Sequence, residues 1–302
     1  MRRAGPVALV AWVCLLIVYV LWGSTYLAIR VGVETMPPLL MAAARQLLAA
    51  AIMLPVALRT HRKQGRPWPS RAEWRGCGCV GVLLLVASGV VGIGEKTVPS
   101  GLAALLIATV PLWLLGIDAV LNHARLGLAP VAGLVLGLAG VALLSGLGGG
   151  SRGTSAAGVL IILGAAVAWA VGTTMARRVT LPSSPALATG MELLAGGVAL
   201  VVLAAATGEF SSLRLSHVSA RSWLALGYLA VFGSIVAFSA YGIAVRALPT
   251  ATFATYAYVN PVIAVLLGAL ILGERLTSVM IAGGALVVGA VVLVVRRSPP
   301  AH

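Results

Sequence analysis

An arginine and a glutamate interrupt apolar stretches in which charge is costly. Arg45 stands seven residues after Pro38 and Glu192 seven after Pro185, each inside a run long enough to cross a bilayer. An ionised side chain within hydrocarbon is rare unless it is paired, hydrated or used, so the two mark a candidate polar pathway. At the helical rise each lies about 10 Å deep, from opposite faces, which leaves roughly 10 Å between them along the normal of a ~30 Å core. Arg45 suits an anionic group such as a carboxylate, and Glu192 an ammonium group or a proton. Either water or a solute bridges them, or each serves a separate gate. The plain alternatives are snorkelling of Arg45 to the interface and a structural partner for Glu192. A third charge, Asp118, falls about 28 Å along its helix from Pro99 and so reads as interfacial.

Uncharged polar and aromatic residues collect at similar depth: Trp22, Ser24, Tyr26, Trp113, Trp169, Thr173, Tyr256, Tyr258 and Asn260. Together with Arg45 and Glu192 they are the candidate substrate-binding residues. Aromatic faces accept cations and apolar bodies, so such a set suits a cavity for small amphipathic solutes. The same residue types also form interfacial belts and helix-to-helix hydrogen bonds. Pro111 and Pro261 each remove one helical hydrogen bond about a dozen residues into their spans. They are hinge candidates, with a static kink as the alternative.

The elements that must position these residues are membrane helices. Apolar residues make up 60% of the 302 residues and charged ones 9%, with a mean hydropathy of +1.06. No water-soluble surface is built from that composition. The formal net charge of +14 is spread singly or in short clusters between apolar runs, which excludes a nucleic-acid-binding patch. Cys14, Cys77 and Cys79 are too few for a zinc site and read as buried, inert thiols. No metal or cofactor motif is present. The run Gly89 to Thr97 imitates a phosphate loop, but Glu95 intervenes before Lys96 and no strand precedes it. Arg2 and Arg3 before an apolar run imitate a signal peptide; that run continues through Trp22-Gly23-Ser24, so a retained first span is expected.

Ten stretches are long enough to span: 8–28, 38–58, 76–94, 99–121, 126–146, 156–176, 186–206, 222–243, 250–272 and 277–296. With the N-terminus cytoplasmic, fourteen Lys and Arg fall on that side and six on the other. The excess places both termini inside, anchored by the connection 59–75.

The chain is also written twice. Pro99, Pro111 and Arg125 recur 150 residues later as Pro249, Pro261 and Arg275, and Trp22, Arg30 and Pro38 recur 147 residues later as Trp169, Arg177 and Pro185. Two units are expected, 8–146 and 156–296. Five spans in each makes the second enter the membrane from the opposite side. Inverted repeats of this kind are a recurrent plan of secondary transporters, because exchanging the conformations of two similar halves exchanges the open side. The fifth and tenth spans carry almost no polar side chains; Gly133-x-x-x-Gly137 marks the fifth as a packing helix or a homodimer contact.

Trp22-Gly23-Ser24-Thr25-Tyr26, Pro37-Pro38-Leu39 with Arg45, Val98-Pro99-Ser100-Gly101-Leu102 leading to Pro111-Leu112-Trp113, and Asn260-Pro261 followed by Gly273-Glu274-Arg275-Leu276 carry a resemblance. The sequence resembles EamA-type members of the drug/metabolite transporter superfamily over about 8–296. The resemblance implies ten helices, inverted five-helix repeats, a central cavity and export of amino acids, metabolites or drugs from bacterial cytoplasm. One departure stands out: the second half reads Gly273-Glu274-Arg275 where the first reads His123-Ala124-Arg125, so no gating role carries over to the glutamate.

The expected protein is thus an all-α membrane protein with ten transmembrane helices as two inverted repeats around a central cavity. It is read as a secondary transporter of the bacterial inner membrane, not an enzyme. Its partners are a small-molecule solute and membrane lipid, with a homodimer as a further contact and no nucleic acid. The alternatives are uptake of the same solutes, or an enzyme acting on lipid-linked substrates, which would need clustered acidic or histidine residues.

Overall fold

The computed structural model describes residues 6–121, 128–144, 154–248 and 255–297, and among these it is all-helical. The elements are α1 Pro6–Gly32, α2 Pro38–Lys63, α3 Arg71–Glu95, α4 Ser100–Ile107, α5 Val110–Leu121, α6 Leu128–Leu144, α7 Ala156–Ala176, α8 Pro185–Ala206 and the short α9 Glu209–Ser212. After a 3-10 turn at Leu215–His217 come α10 Ala220–Tyr228, a π-helical stretch Leu229–Val236, α11 Ala237–Ala247, α12 Tyr256–Leu272 and α13 Ser278–Arg297. Seven helical stretches are long and apolar enough to cross a membrane, and shorter apolar helices lie at 131–143, 259–272 and 278–293.

The ends of the helices follow local rules. Pro38 and Pro185 open α2 and α8, where the missing N–H costs nothing. Ser70 and Glu73 form a reciprocal capping box at the start of α3, satisfying two otherwise unpaired donors. Gly273, at φ +66°, ends α12 in the left-handed conformation favoured by glycine.

Two spans depart from the simple helices expected. The stretch 99–121 is broken at Ala108–Thr109 between α4 and α5, just before Pro111, whose ring cannot continue the ladder. Thr109 Oγ1 donates to the Leu106 carbonyl at 2.6 Å and accepts from Trp113 Nε1 at 3.1 Å, which offsets bonds lost at the break. The stretch 222–243 contains the π-helical turns. Glycine-rich residues 89–94 are the last turns of α3 and no loop.

Side chains such as Leu16, Val20, Ile52, Val202 and Leu270 are exposed along the helices, as a surface solvated by lipid requires. The interior is built by close helix pairs: α2 with α8, α3 with α7 and α8, α1 with α11 and α12, α4 with α12, α7 with α4 and α5, and α6 with α13. Gly140 serves the last arrangement, where a Cβ would stand 2.9 Å from the Gly283 carbonyl oxygen. A Cβ on Gly137 would stand 2.0 Å from a Leu112 methyl and 3.5 Å from Ala290, so this glycine lies in close contact with α5 and near α13. Cys14 and Cys77 are buried as expected, whereas Cys79 is exposed.

Pro249, the tract His123-Ala124-Arg125, most of the junction 146–155 and the side chain of Tyr258 lie outside the described residues.

Candidate functional site

Arg45 is buried at 7% exposure, and its Nε donates to Ser234 Oγ at 2.9 Å. Ser234 belongs to the π-helical turns. Such turns shift the register of a helix and recur at functional positions; here they bring a hydroxyl to the guanidinium. Arg45 therefore points into the bundle instead of snorkelling to an interface.

Glu192 lies on α8, half-buried, its carboxylate without a hydrogen bond among the described residues. Its backbone is held by contact with Gly81 of α3. A Cβ there would stand 2.4 Å from the Glu192 carbonyl oxygen and 2.7 Å from its Cα. Only glycine permits that approach of α3 to α8.

Both charges face one cavity of about 710 Å³ between the helices, within the range of small-molecule sites. The structure places Trp22, Tyr26, Arg45, Trp169, Thr173, Glu192, Tyr256 and Asn260 in its wall, along with Pro111 and Pro261. Ser24 and Trp113 are not part of that wall. Ser24 Oγ instead donates to the Leu21 carbonyl at 2.9 Å and shares a 2.6 Å hydrogen bond with Tyr228 Oη, while Trp113 bonds back to Thr109. Asp118 is exposed, consistent with an interfacial place.

One side of the cavity is aromatic. Trp22 meets Phe238 at 5.4 Å, Tyr241 at 5.1 Å and Tyr256 at 5.6 Å between ring centroids, in the range where edge-to-face and tilted rings attract. Tyr241 and Phe238 also line the cavity, as do Thr25 and Gln46, which the spacing of the sequence did not single out. Gln46 Oε1 and Asn260 Oδ1 are buried and lack a hydrogen-bond partner among the described residues. Buried polar atoms of this kind are rare and costly, at about 1–3 kcal/mol each. Among the described residues, no three His, Cys, Asp or Glu side chains gather as a metal cluster would need.

The arrangement can bind a small solute with charged ends and an apolar body. Comparison with known proteins gives the family. Residues 9–146 and 156–296 each match the EamA-like transporter family. The chain belongs to that family. As an EamA-like transporter it is 40% identical over 279 residues to the uncharacterized inner membrane transporter YedA of Escherichia coli strain K12, covering 91% of this chain and 87% of that protein. It is 30% identical to a probable terminal-alkyne amino-acid exporter of Streptantibioticus cattleyicolor, covering 94% and 93% of the two chains. A probable amino-acid metabolite efflux pump of Salmonella typhimurium is 25% identical, covering 90% of each. A crystal structure with a TM-score of 0.59 and 22% identity covers 94% of this EamA-like transporter and 95% of that chain, a likeness of fold. The protein is a multi-pass membrane transporter.

Proposed function

We propose that this protein is a secondary transporter that exports a small organic solute, an amino acid or related metabolite, from the bacterial cytoplasm by alternating access. The observation that carries the reading is one cavity whose wall holds both Arg45 and Glu192. A carboxylate of the solute binds the guanidinium, and Glu192 takes an ammonium group or a proton. The aromatic wall around Trp22 receives the apolar body. The names of the amino-acid exporter and efflux pump among its relatives support this solute class.

The ten spans form two inverted repeats. Reciprocal packing supports this: α1 lies on α12 and α11 as α7 lies on α4, α5 and α3, and the equivalent pairs α2 with α8 and α6 with α13 pack on each other. Related halves of this kind interconvert by exchanging conformations. Pro111 and Pro261, both in the cavity wall, are the hinges. The end bearing the connection 59–75, with its cluster of Arg and Lys, is cytoplasmic by the positive-inside rule, as are both termini.

The test is reconstitution. Liposomes containing the purified protein and loaded with a mixture of amino acids release one or a few of them above the rate of protein-free liposomes. Equal release of all components by both preparations contradicts the proposal.

A further inference from the structure

The two proline-bearing spans are clamped together at one end. At the end away from the basic connection, Glu274, just past α12, reaches across to the amino end of α4. Its carboxylate accepts from the Ser100 N–H at 2.8 Å, the Ser100 hydroxyl at 3.0 Å and the Gly101 N–H at 3.2 Å. These are charge-assisted bonds to the unpaired donors and positive end of a helix.

The chain around Glu274 is shaped for this contact. Gly273 turns it in the left-handed conformation, and the Glu274 N–H bonds to the Gly268 carbonyl at 3.1 Å. A Cβ on Gly268 would stand 2.4 Å from Glu274 Oε2 and 2.9 Å from Ser100 Oγ. Only a glycine leaves room for the carboxylate between the two helices.

The cavity is asymmetric in the same sense. Its wall includes Ala176, the last residue of α7, and Ser184 to Ala186 at the start of α8, so it reaches the basic end of the bundle. At the other end it stops at Ile29, Val91 and Ala104, short of the Glu274 contact. The sequence repeats that asymmetry, since the residue 150 positions before Glu274 is Ala124, which has no carboxylate.

We propose that Glu274 is a positioning residue of the transport cycle, a latch that holds the pathway closed on the side away from the basic connection by binding the amino end of α4. The proposal rests on the transport reading above. Opening that side separates α12 from α4 and breaks the three bonds, whose donors then turn to water. The first repeat carries Ala124 at the matching position, so the repeat supplies no second carboxylate of this kind, and the resting protein favours the state open at its basic end.

The test reads sidedness, which a merely structural role would not shift. In full-length protein with its three cysteines replaced by alanine, Ile29→Cys places one reporter thiol in the cavity wall. Membrane vesicles of both orientations are treated with a membrane-impermeant thiol reagent. In otherwise wild-type protein, labelling is faster from the basic side. Glu274→Ala and Gly268→Ala each raise the ratio of labelling from the opposite side to labelling from the basic side about tenfold, the factor for loss of roughly one charge-assisted hydrogen bond. Where Glu274→Ala does not reach the membrane, Glu274→Gln reads the same ratio in the same direction. An unchanged ratio in the glutamate variant overturns the latch. A reporter labelled from neither side in the wild-type background overturns the transport-pathway reading instead.

Discussion

The hydrogen bond from Arg45 Nε to Ser234 Oγ, 2.9 Å long, ties a charge in the first half of the chain to the π-helical turns of the second. It fixes one edge of the guanidinium and leaves the residue in the cavity wall. The arrangement predicts that Arg45→Lys is not conservative, because an ammonium is a point charge without the planar fork. Solute affinity falls about tenfold or more while protein abundance in the membrane holds, measured by transport rate against solute concentration. Arg45→Ala removes transport.

Glu192 carries the second charge of the wall. If a proton binds there during the cycle, Glu192→Gln abolishes the dependence of transport on a pH gradient and leaves downhill flux. Transport into vesicles with and without an imposed gradient checks this. Undiminished gradient dependence in the variant removes Glu192 from the coupling step.

The contact of Gly81 with the Glu192 backbone predicts a stability effect. Gly81→Ala places a Cβ within 2.4 Å of a carbonyl oxygen, and overpacking of this kind costs about 1–3 kcal/mol. Gly78→Ala, three residues earlier with nothing within 4 Å of its Cβ, is the matched control. Thermal unfolding of the detergent-solubilised protein shows a lowered midpoint for the first and an unchanged one for the second.

Ser24 and Trp113 lie outside the cavity wall, which separates them from Trp22. Ser24→Ala removes the bond to Tyr228 and Trp113→Phe the bond to Thr109, each worth about 1 kcal/mol of stability, with transport kinetics close to wild type. Trp22→Ala removes the ring that Phe238, Tyr241 and Tyr256 surround. Such a change costs about 3–5 kcal/mol and alters which solutes are carried. Solute competition assays on the three variants distinguish them.

Much of this was legible in the chain because the bilayer enforces simple rules. Runs of about 20 apolar residues and the charges inside them are visible without coordinates, and so Arg45, Glu192 and eight of the polar, aromatic and proline candidates were found in the wall of one cavity. Ser24 and Trp113 stand off that wall, because depth along a helix does not specify the face. Gln46 and Tyr241 were missed for the same reason. Ser234 was hidden by the π-helical turns, whose sequence, Leu229 to Val236, carries no breaker but Gly233. Glu274 follows a helix end in the sequence, and only tertiary approach to Ser100 shows what its carboxylate touches.

Comparative efflux tests the central claim most directly. Cells expressing wild-type protein, and cells expressing the paired Arg45→Ala, Glu192→Ala variant at equal membrane abundance, are compared for every amino acid and small metabolite in the medium. An exporter with these two charges in its pathway yields one unmodified solute that accumulates outside only with the wild type. Equal accumulation with both proteins, depletion of the solute from the medium, or a chemically altered product contradicts that account.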